Sequence, residues 1–298
     1  MKITNELDLP KPFVDAATSN YTYTPNRYSV TGIIKGTCQS ILERRHADEI
    51  TVDVAEQVWL VFGSAVHKIL EESEESATQI KEGKLDMEIP GAPGYKLSGI
   101  FDLYDDATGI ITDYKTASVW KVQFNDWDDY RKQLLYYCVI LRENGFHAQA
   151  GEIVALLKDH SQTKAETDPD YPRHPVYKIG WDFFDDEIAA AKEEIIARFQ
   201  EIIAQEARAD ADLIPCSPAE RWEKPAKYAV KKEGNVKALK LYDSEEEAQA
   251  GIEALMVNAK KGTNYIIEYR PGESTRCMKY CNVCEWCPYY KKEIANAD

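Results

Sequence analysis

Two apolar, strand-like runs, Leu97 to Tyr104 and Ile110 to Thr116, flank the turn-forming cluster Asp105-Asp106-Ala107-Thr108-Gly109. This hairpin constrains the chain more than any other segment. Side chains alternate along a strand, so Asp113 and Lys115 point to one face. With the turn centred near Ala107, Asp102 falls opposite Thr112 or Asp113, where facing Cβ atoms lie about 4.5–5.5 Å apart. Two carboxylates are therefore expected beside one ammonium. Such a set suits a hard divalent cation, magnesium or manganese, which takes oxygen ligands. A cation there generates a nucleophile from water at neutral pH, and the nearby lysine orients that water or stabilises the phosphate. The plain alternative is a solvated hairpin whose Asp and Lys form a surface pair.

The 298 residues allow one large domain or a domain with a small insertion. The start lacks the apolar core of a signal peptide and no apolar run is long enough to span a bilayer, so a cytoplasmic, non-membrane location is expected. In a reducing compartment the seven cysteines are expected to include metal ligands rather than a disulfide framework. The net charge of −15 argues against indiscriminate nucleic-acid binding, which draws on lysine and arginine. Between Arg221 and Lys240 the balance reverses, with seven basic residues against Glu223 and Glu233, a local net of +5. A DNA track would be sought there, with a solvated hairpin as the plain reading.

Helices are expected near Thr31 to His46, Val54 to Glu72, Asp126 to Asn144 and Asp185 to Ala207. Strands are expected at Leu85 to Ile89, Tyr95 to Tyr104, Ile110 to Ala117, Gly151 to Lys158 and Tyr177 to Trp181. Alternation of this kind implies an α/β fold, a mixed sheet covered by helices. In the second helix Gly63, His67 and Glu71 share one side at successive i, i+4 spacing. In the third, Gln133 and Tyr137 lie one turn apart; core packing is the plain reading of Tyr137. From 216 to 275 a small ββαβ module is expected, with a hairpin at Glu233-Gly234-Asn235 and a capping box at Ser244 and Glu247.

Cys277, Cys281, Cys284 and Cys287 fall within eleven residues, a strong metal signal, and Pro288 after the last is frequent in iron-sulfur ligation. Zinc is the competing occupant. Cys38 stands alone near the other end, whereas Cys138 and Cys216 read as small buried hydrophobes.

Gly63-Ser64-Ala65-Val66-His67, Gly99-Ile100-Phe101-Asp102, Asp113-Tyr114-Lys115 and Gln133-Leu134-Leu135-Tyr136-Tyr137 occur in the order of the PD-(D/E)XK nuclease motifs. The chain resembles the RecB-like branch, which includes iron-sulfur exonucleases of CRISPR adaptation and phage recombination. The resemblance implies a restriction-endonuclease-like core over 1–215 with helices on both faces, then the inserted module at 216–275. A cysteine cap over 276–298 would pack back on the N-terminal region. It implies that His67, Asp102, Asp113 and the Tyr114 carbonyl bind magnesium or manganese, with Asp102, Asp113 and Lys115 catalytic. Gln133 and Tyr137 would contact DNA or support the site. A 4Fe-4S cluster is implied on Cys38, Cys277, Cys281 and Cys287, zinc being the alternative occupant. The cap departs from the commoner C-x2-C-x5-C spacing, which leaves Cys284 as an alternative ligand and a purely C-terminal four-cysteine site open.

The expected activity is exonucleolytic hydrolysis at single- or double-stranded DNA ends, in recombination, repair or phage DNA processing. A recombination or single-strand-binding protein is the partner such a role implies. An endonuclease, a non-catalytic DNA-binding recombination partner on the same scaffold, and an iron-sulfur electron carrier are the competing readings.

Overall fold

The turn chemistry closes the hairpin as expected. Gly109 N–H donates to the Asp105 carbonyl at 2.8 Å, and the Asp105 carboxylate accepts the Ala107 N–H at 3.0 Å. A computed structural model describes residues 2–18, 22–74, 76–257, 259 and 262–295. The chain divides into two compact units, Met1–Arg208 and Ala209–Asp298.

In the first unit the order is β1 (Lys2–Thr4), α1 (Lys11–Ala17), β2 (Arg27–Ser29), α2 (Val30–Ile34), α3 (Thr37–Arg45), β3 (Thr51–Asp53), α4 (Val58–Glu71), β4 (Gln79–Glu88), β5 (Lys96–Asp105), β6 (Ile110–Ala117) and α5 (Val119–Gln123). It continues with α6 (Asp128–Glu143), β7 (Ala150–Leu157), α7 (Gln162–Thr167), β8 (Val176–Asp182) and α8 (Asp185–Glu206). The sheet runs β2-β5-β6-β7-β8, with β4 on the other edge of β5. It is mixed: β6 and β7 are parallel, while β4, β5 and β6 form an antiparallel meander and β8 runs antiparallel to β7.

Alternation along β6 and β7 sets the layers. A Cβ on Gly151 would meet Leu134 of α6 at 2.9 Å, and Gln133 of α6 bonds Asp113, so α6 covers the face that carries Asp113. Gly63 of α4 sits instead over Thr116, on the opposite face. Helices therefore lie on both faces. The core joins Leu97, Phe101, Ile111, Leu134, Ile153 and Phe199, all essentially solvent-free.

Three departures have local causes. The expected helix at 31–46 is two helices, broken where Lys35 and Gly36 turn extended. The second helix begins in a 3-10 turn, Val54–Gln57, and in α4 no residue is buried. Strand β4 starts six residues before the expected Leu85, because the charged stretch Gln79 to Lys84 pairs in register with β5 from Asp105 to Ile100. No helix among the described residues is long and apolar enough to cross a membrane.

The second unit holds β9 (Glu223–Lys224), β10 (Lys227–Lys232), β11 (Lys240–Tyr242), α9 (Glu245–Met256), β12 (Tyr265–Arg270), β13 (Glu273–Ser274) and α10 (Thr275–Lys279). Its sheet order is β11-β10-β12, and Ser244 caps α9 by accepting the Glu247 N–H at 3.2 Å. The hairpin, helix and closing strand match the expected ββαβ arrangement. Ion pairs of Arg221 with Glu223, Lys224 with Glu273, Lys227 with Asp243 and Lys231 with Glu268 neutralise much of its basic stretch.

Candidate active site

Strands β5 and β6 pair from Asp105–Ile110 only as far as Leu103–Thr112 and then part. Asp102 and Asp113, next in that register, face each other where the ladder opens. The Asp102 carboxylate fills the gap: Oδ2 accepts the Tyr114 backbone N–H at 2.7 Å, standing in for a lost strand partner. Its Oδ1 lies 3.2 Å from His67 Nδ1 on α4. That contact, with Asp102 as acceptor, raises the His67 pKa against the opposing effect of burial.

Asp113 is 2 % exposed. Its Oδ1 accepts Gln133 Nε2–H at 3.2 Å, and Gln133 also donates to the Tyr137 hydroxyl at 2.9 Å. Oδ2 lies 2.5 Å from Lys115 Nζ, an ion pair in which the ammonium meets the buried carboxylate. Burial pushes the Asp113 carboxyl above the usual carboxylate range, opposed by the Lys115 charge and reinforced by Asp102. Lys115 also lies over the Tyr130 ring of α6 at 5.5 Å.

Gly99 explains how α6 comes so near. A Cβ there would lie 2.9 Å from Ile140 Cδ1 and 3.1 Å from the Tyr137 ring, so a side chain would hold off the helix that carries Gln133. Gln133 and Tyr137, both buried, are placed to support Asp113.

One residue was not foreseen. Glu82, on β4 opposite Asp102, is held at φ 47°, in the left-handed region. The next residue is Gly83, where the Phe101 ring occupies the space a Cβ would need. His67, Glu82 and Asp102 each offer a ligand atom, and these atoms lie within 4.8 Å of one another. Among the described residues they are the group of that kind, and Asp113 lies outside it. Burial first and Asp102 second raise the Glu82 pKa. No sequence period marks Glu82, since Gln-Ile-Lys-Glu-Gly-Lys alternates nothing.

The donor set fits a divalent cation. Carboxylates and one imidazole supply oxygen and nitrogen ligands, and the like charges of Glu82, Asp102 and Asp113 crowd one another. Two cavities adjoin the group: a polar one of about 170 Å³ that reaches Asp102 and Tyr114, and an open one of about 460 Å³ that reaches Trp59 and Leu60.

The profile of the PD-(D/E)XK nuclease superfamily matches residues 61–289. The chain belongs to this superfamily. As a PD-(D/E)XK protein it joins nucleases that use divalent metals, and the match spans His67, both aspartates, Lys115 and the C-terminal cysteines. Among solved structures it is similar to SSO0001, with 15% identity over 64% of this chain and 83% of that one, at a TM-score of 0.48. It is also similar to an alkaline exonuclease (LHK-Exo) from Laribacter hongkongensis, with 13% identity over 61% of this chain and 90% of that one, at a TM-score of 0.35. No curated protein matches the chain.

The cysteines lie in both units. Cys38 is buried in α3 of the first. In the second, Cys277 is pushed up to about 11 by burial, then by Cys287, Cys216 and Cys284. Cys281 is pushed up to about 12 by burial, with Cys277, Cys284 and Cys216 adding to it. Cys216, read from the sequence as a small buried hydrophobe, is half-buried and adds to both shifts. Its carbonyl accepts from Arg221, whose guanidinium lies 4.0 Å over the Tyr289 ring. Cys138 is the buried residue expected, its thiol donating to the Ala148 carbonyl at 3.3 Å.

Proposed function

We propose that the chain is a magnesium- or manganese-dependent deoxyribonuclease that removes nucleotides from DNA ends, in recombination, repair or phage DNA processing. The observation that carries this reading is the opening between β5 and β6, where Asp102, Asp113, Lys115, His67 and Glu82 meet. A divalent cation bound there would ease deprotonation of water and offset charge on the scissile phosphate. His67, Glu82 and Asp102 would hold it, with Asp113 and the Tyr114 carbonyl completing the set. Lys115 would orient the attacking water or meet the charge developing on the phosphate. Gln133 holds Asp113 in place, and Tyr137 steadies Gln133.

The test is digestion of end-labelled single- and double-stranded linear DNA beside circular DNA, with magnesium or manganese. Wild type should release nucleotides from linear DNA and spare the circle, and Asp113→Ala and Lys115→Ala should not cleave. Undiminished cleavage by both variants overturns the assignment; cleavage of the circle makes the protein an endonuclease.

We further propose that the cap holds a structural metal. A 4Fe-4S cluster is the form the resemblance implies, held within the second unit by Cys277, Cys281, Cys284 and Cys287; zinc is the competing occupant. The spacing of four cysteines within eleven residues supports it, and a metal there would require their deprotonation. Iron and zinc content of anaerobically purified protein decides between the two.

A further inference from the structure

Helix α4 puts His67 at the metal group, yet buries none of its own residues. Its first two turns expose Trp59 (54 %), Leu60 (45 %) and Phe62 (41 %). A large apolar side chain left in water is informative when it borders a functional cavity. Here one cavity of about 460 Å³ is lined by Trp59 and Leu60 at one end and by His67, Glu71 and Glu82 at the other. That volume is in the range of cavities that take small organic ligands, roughly 300–1,000 Å³.

The aromatic end also carries positive charge. Lys158, at the end of β7, holds its ammonium 3.9 Å over the Trp59 ring. Phe62 meets Trp59 in a T-shaped pair at 6.3 Å, and Trp59 remains more than half exposed where it lines the cavity. An indole beside an ammonium matches the two parts of a nucleotide, a flat base and a phosphate. The carboxylate end would repel that phosphate unless a cation lay between them.

We propose that Trp59 stacks on an unpaired base of the strand being cleaved, so that the substrate is DNA with a single-stranded end. This rests on the nuclease reading above. Inside a duplex a paired base has both faces covered by its neighbours, whereas an unpaired base a few nucleotides from the end has a face to offer an indole. The eight helical steps from Trp59 to His67 span roughly 12 Å, so the stacked base lies a few nucleotides from the scissile phosphate at about 3.4 Å of rise each. Leu60 lines the floor beside it, and Lys158 pairs with the adjoining phosphate.

The experiment measures binding apart from cleavage. In an Asp113→Asn background with magnesium, fluorescence anisotropy compares a short oligothymidylate with a blunt duplex, for Trp59, Trp59→Ala and Trp59→Tyr; circular dichroism checks folding. Trp59→Ala should weaken single-strand binding about tenfold, the scale of one lost base stack, and leave blunt-duplex binding nearly unchanged. Trp59→Tyr should restore most of the loss. Equal single-strand affinity for Trp59 and Trp59→Ala, or an equal loss on both DNAs, overturns the proposal. Cleavage by wild type is scored separately. A Trp59-dependent single-strand preference without any cleavage upholds the stacking site and removes the nuclease reading; cleavage with no Trp59 effect on binding removes only the stacking site.

Discussion

The Asp102 carboxylate accepts the Tyr114 backbone N–H at 2.7 Å, at the point where β5 and β6 cease to pair. One residue thus does two jobs: Oδ2 closes the backbone's hydrogen-bond account, and Oδ1 faces His67. The two can be separated. Asp102→Asn keeps an acceptor for Tyr114 but loses the charge, so DNA cleavage should fall by about 100-fold or more while the melting temperature barely moves. Asp102→Ala should also lose about 1–3 kcal/mol of stability by leaving the Tyr114 N–H without its partner. Initial rates and thermal melts check both; an Asn variant with the wild-type rate would sink the role.

Glu82 pays for its position with a left-handed backbone, a cost of about 1–2 kcal/mol for a residue with a Cβ. Replacement by glycine should recover part of that strain while removing a ligand. Glu82→Gly is therefore expected to be no less stable than wild type and to bind manganese about tenfold more weakly, as read by calorimetric titration. Unchanged manganese affinity would mean that Glu82 is not a ligand.

Lys115 is the cation nearest the buried Asp113. Lys115→Met leaves a buried carboxylate without its counter-charge, which should cost about 3 kcal/mol at neutral pH in urea unfolding. Adding Asp113→Asn removes that charge, so the double variant should be more stable than Lys115→Met alone. A double variant weaker than both single variants would contradict this coupling.

Gly99→Ala should destabilise by about 1–3 kcal/mol, since its Cβ would lie 2.9 Å from Ile140 Cδ1. Ile140→Val removes that methyl group and should return part of the loss. If the two substitutions simply add, the clash lies elsewhere.

Away from the site, Tyr95 donates to Glu206 Oε2 at 2.7 Å, and this bond, ahead of burial, pushes its hydroxyl up to about 12. The folded pKa lies above the unfolded one near 10, so the contribution is fully present below pH 10 and is lost as pH rises through about 12. Tyr95→Phe should cost about 1 kcal/mol at pH 8, and its gap to wild type should shrink between pH 10 and 12. A constant gap across denaturation curves in that range would refute the linkage.

Local chemistry made much of this protein legible in its sequence. Turn formers between two apolar runs determined the hairpin, period-two alternation put Asp113 and Lys115 on one face, and helical spacing put Gln133 and Tyr137 together. Four ordered motifs carried the superfamily, because each records a short-range requirement of backbone or ligand geometry. Tertiary structure alone decided the rest. Glu82 sits in a charged run with no period, and only the pairing of β4 with β5 brings it to Asp102. Cys216 lies far in sequence from Cys277 and Cys281, whose shifts it adds to, so no spacing rule could link them. The apolar stripe of α4 predicted a helix but not its surroundings, because periodicity tells which residues share a side and not what the fold places against it.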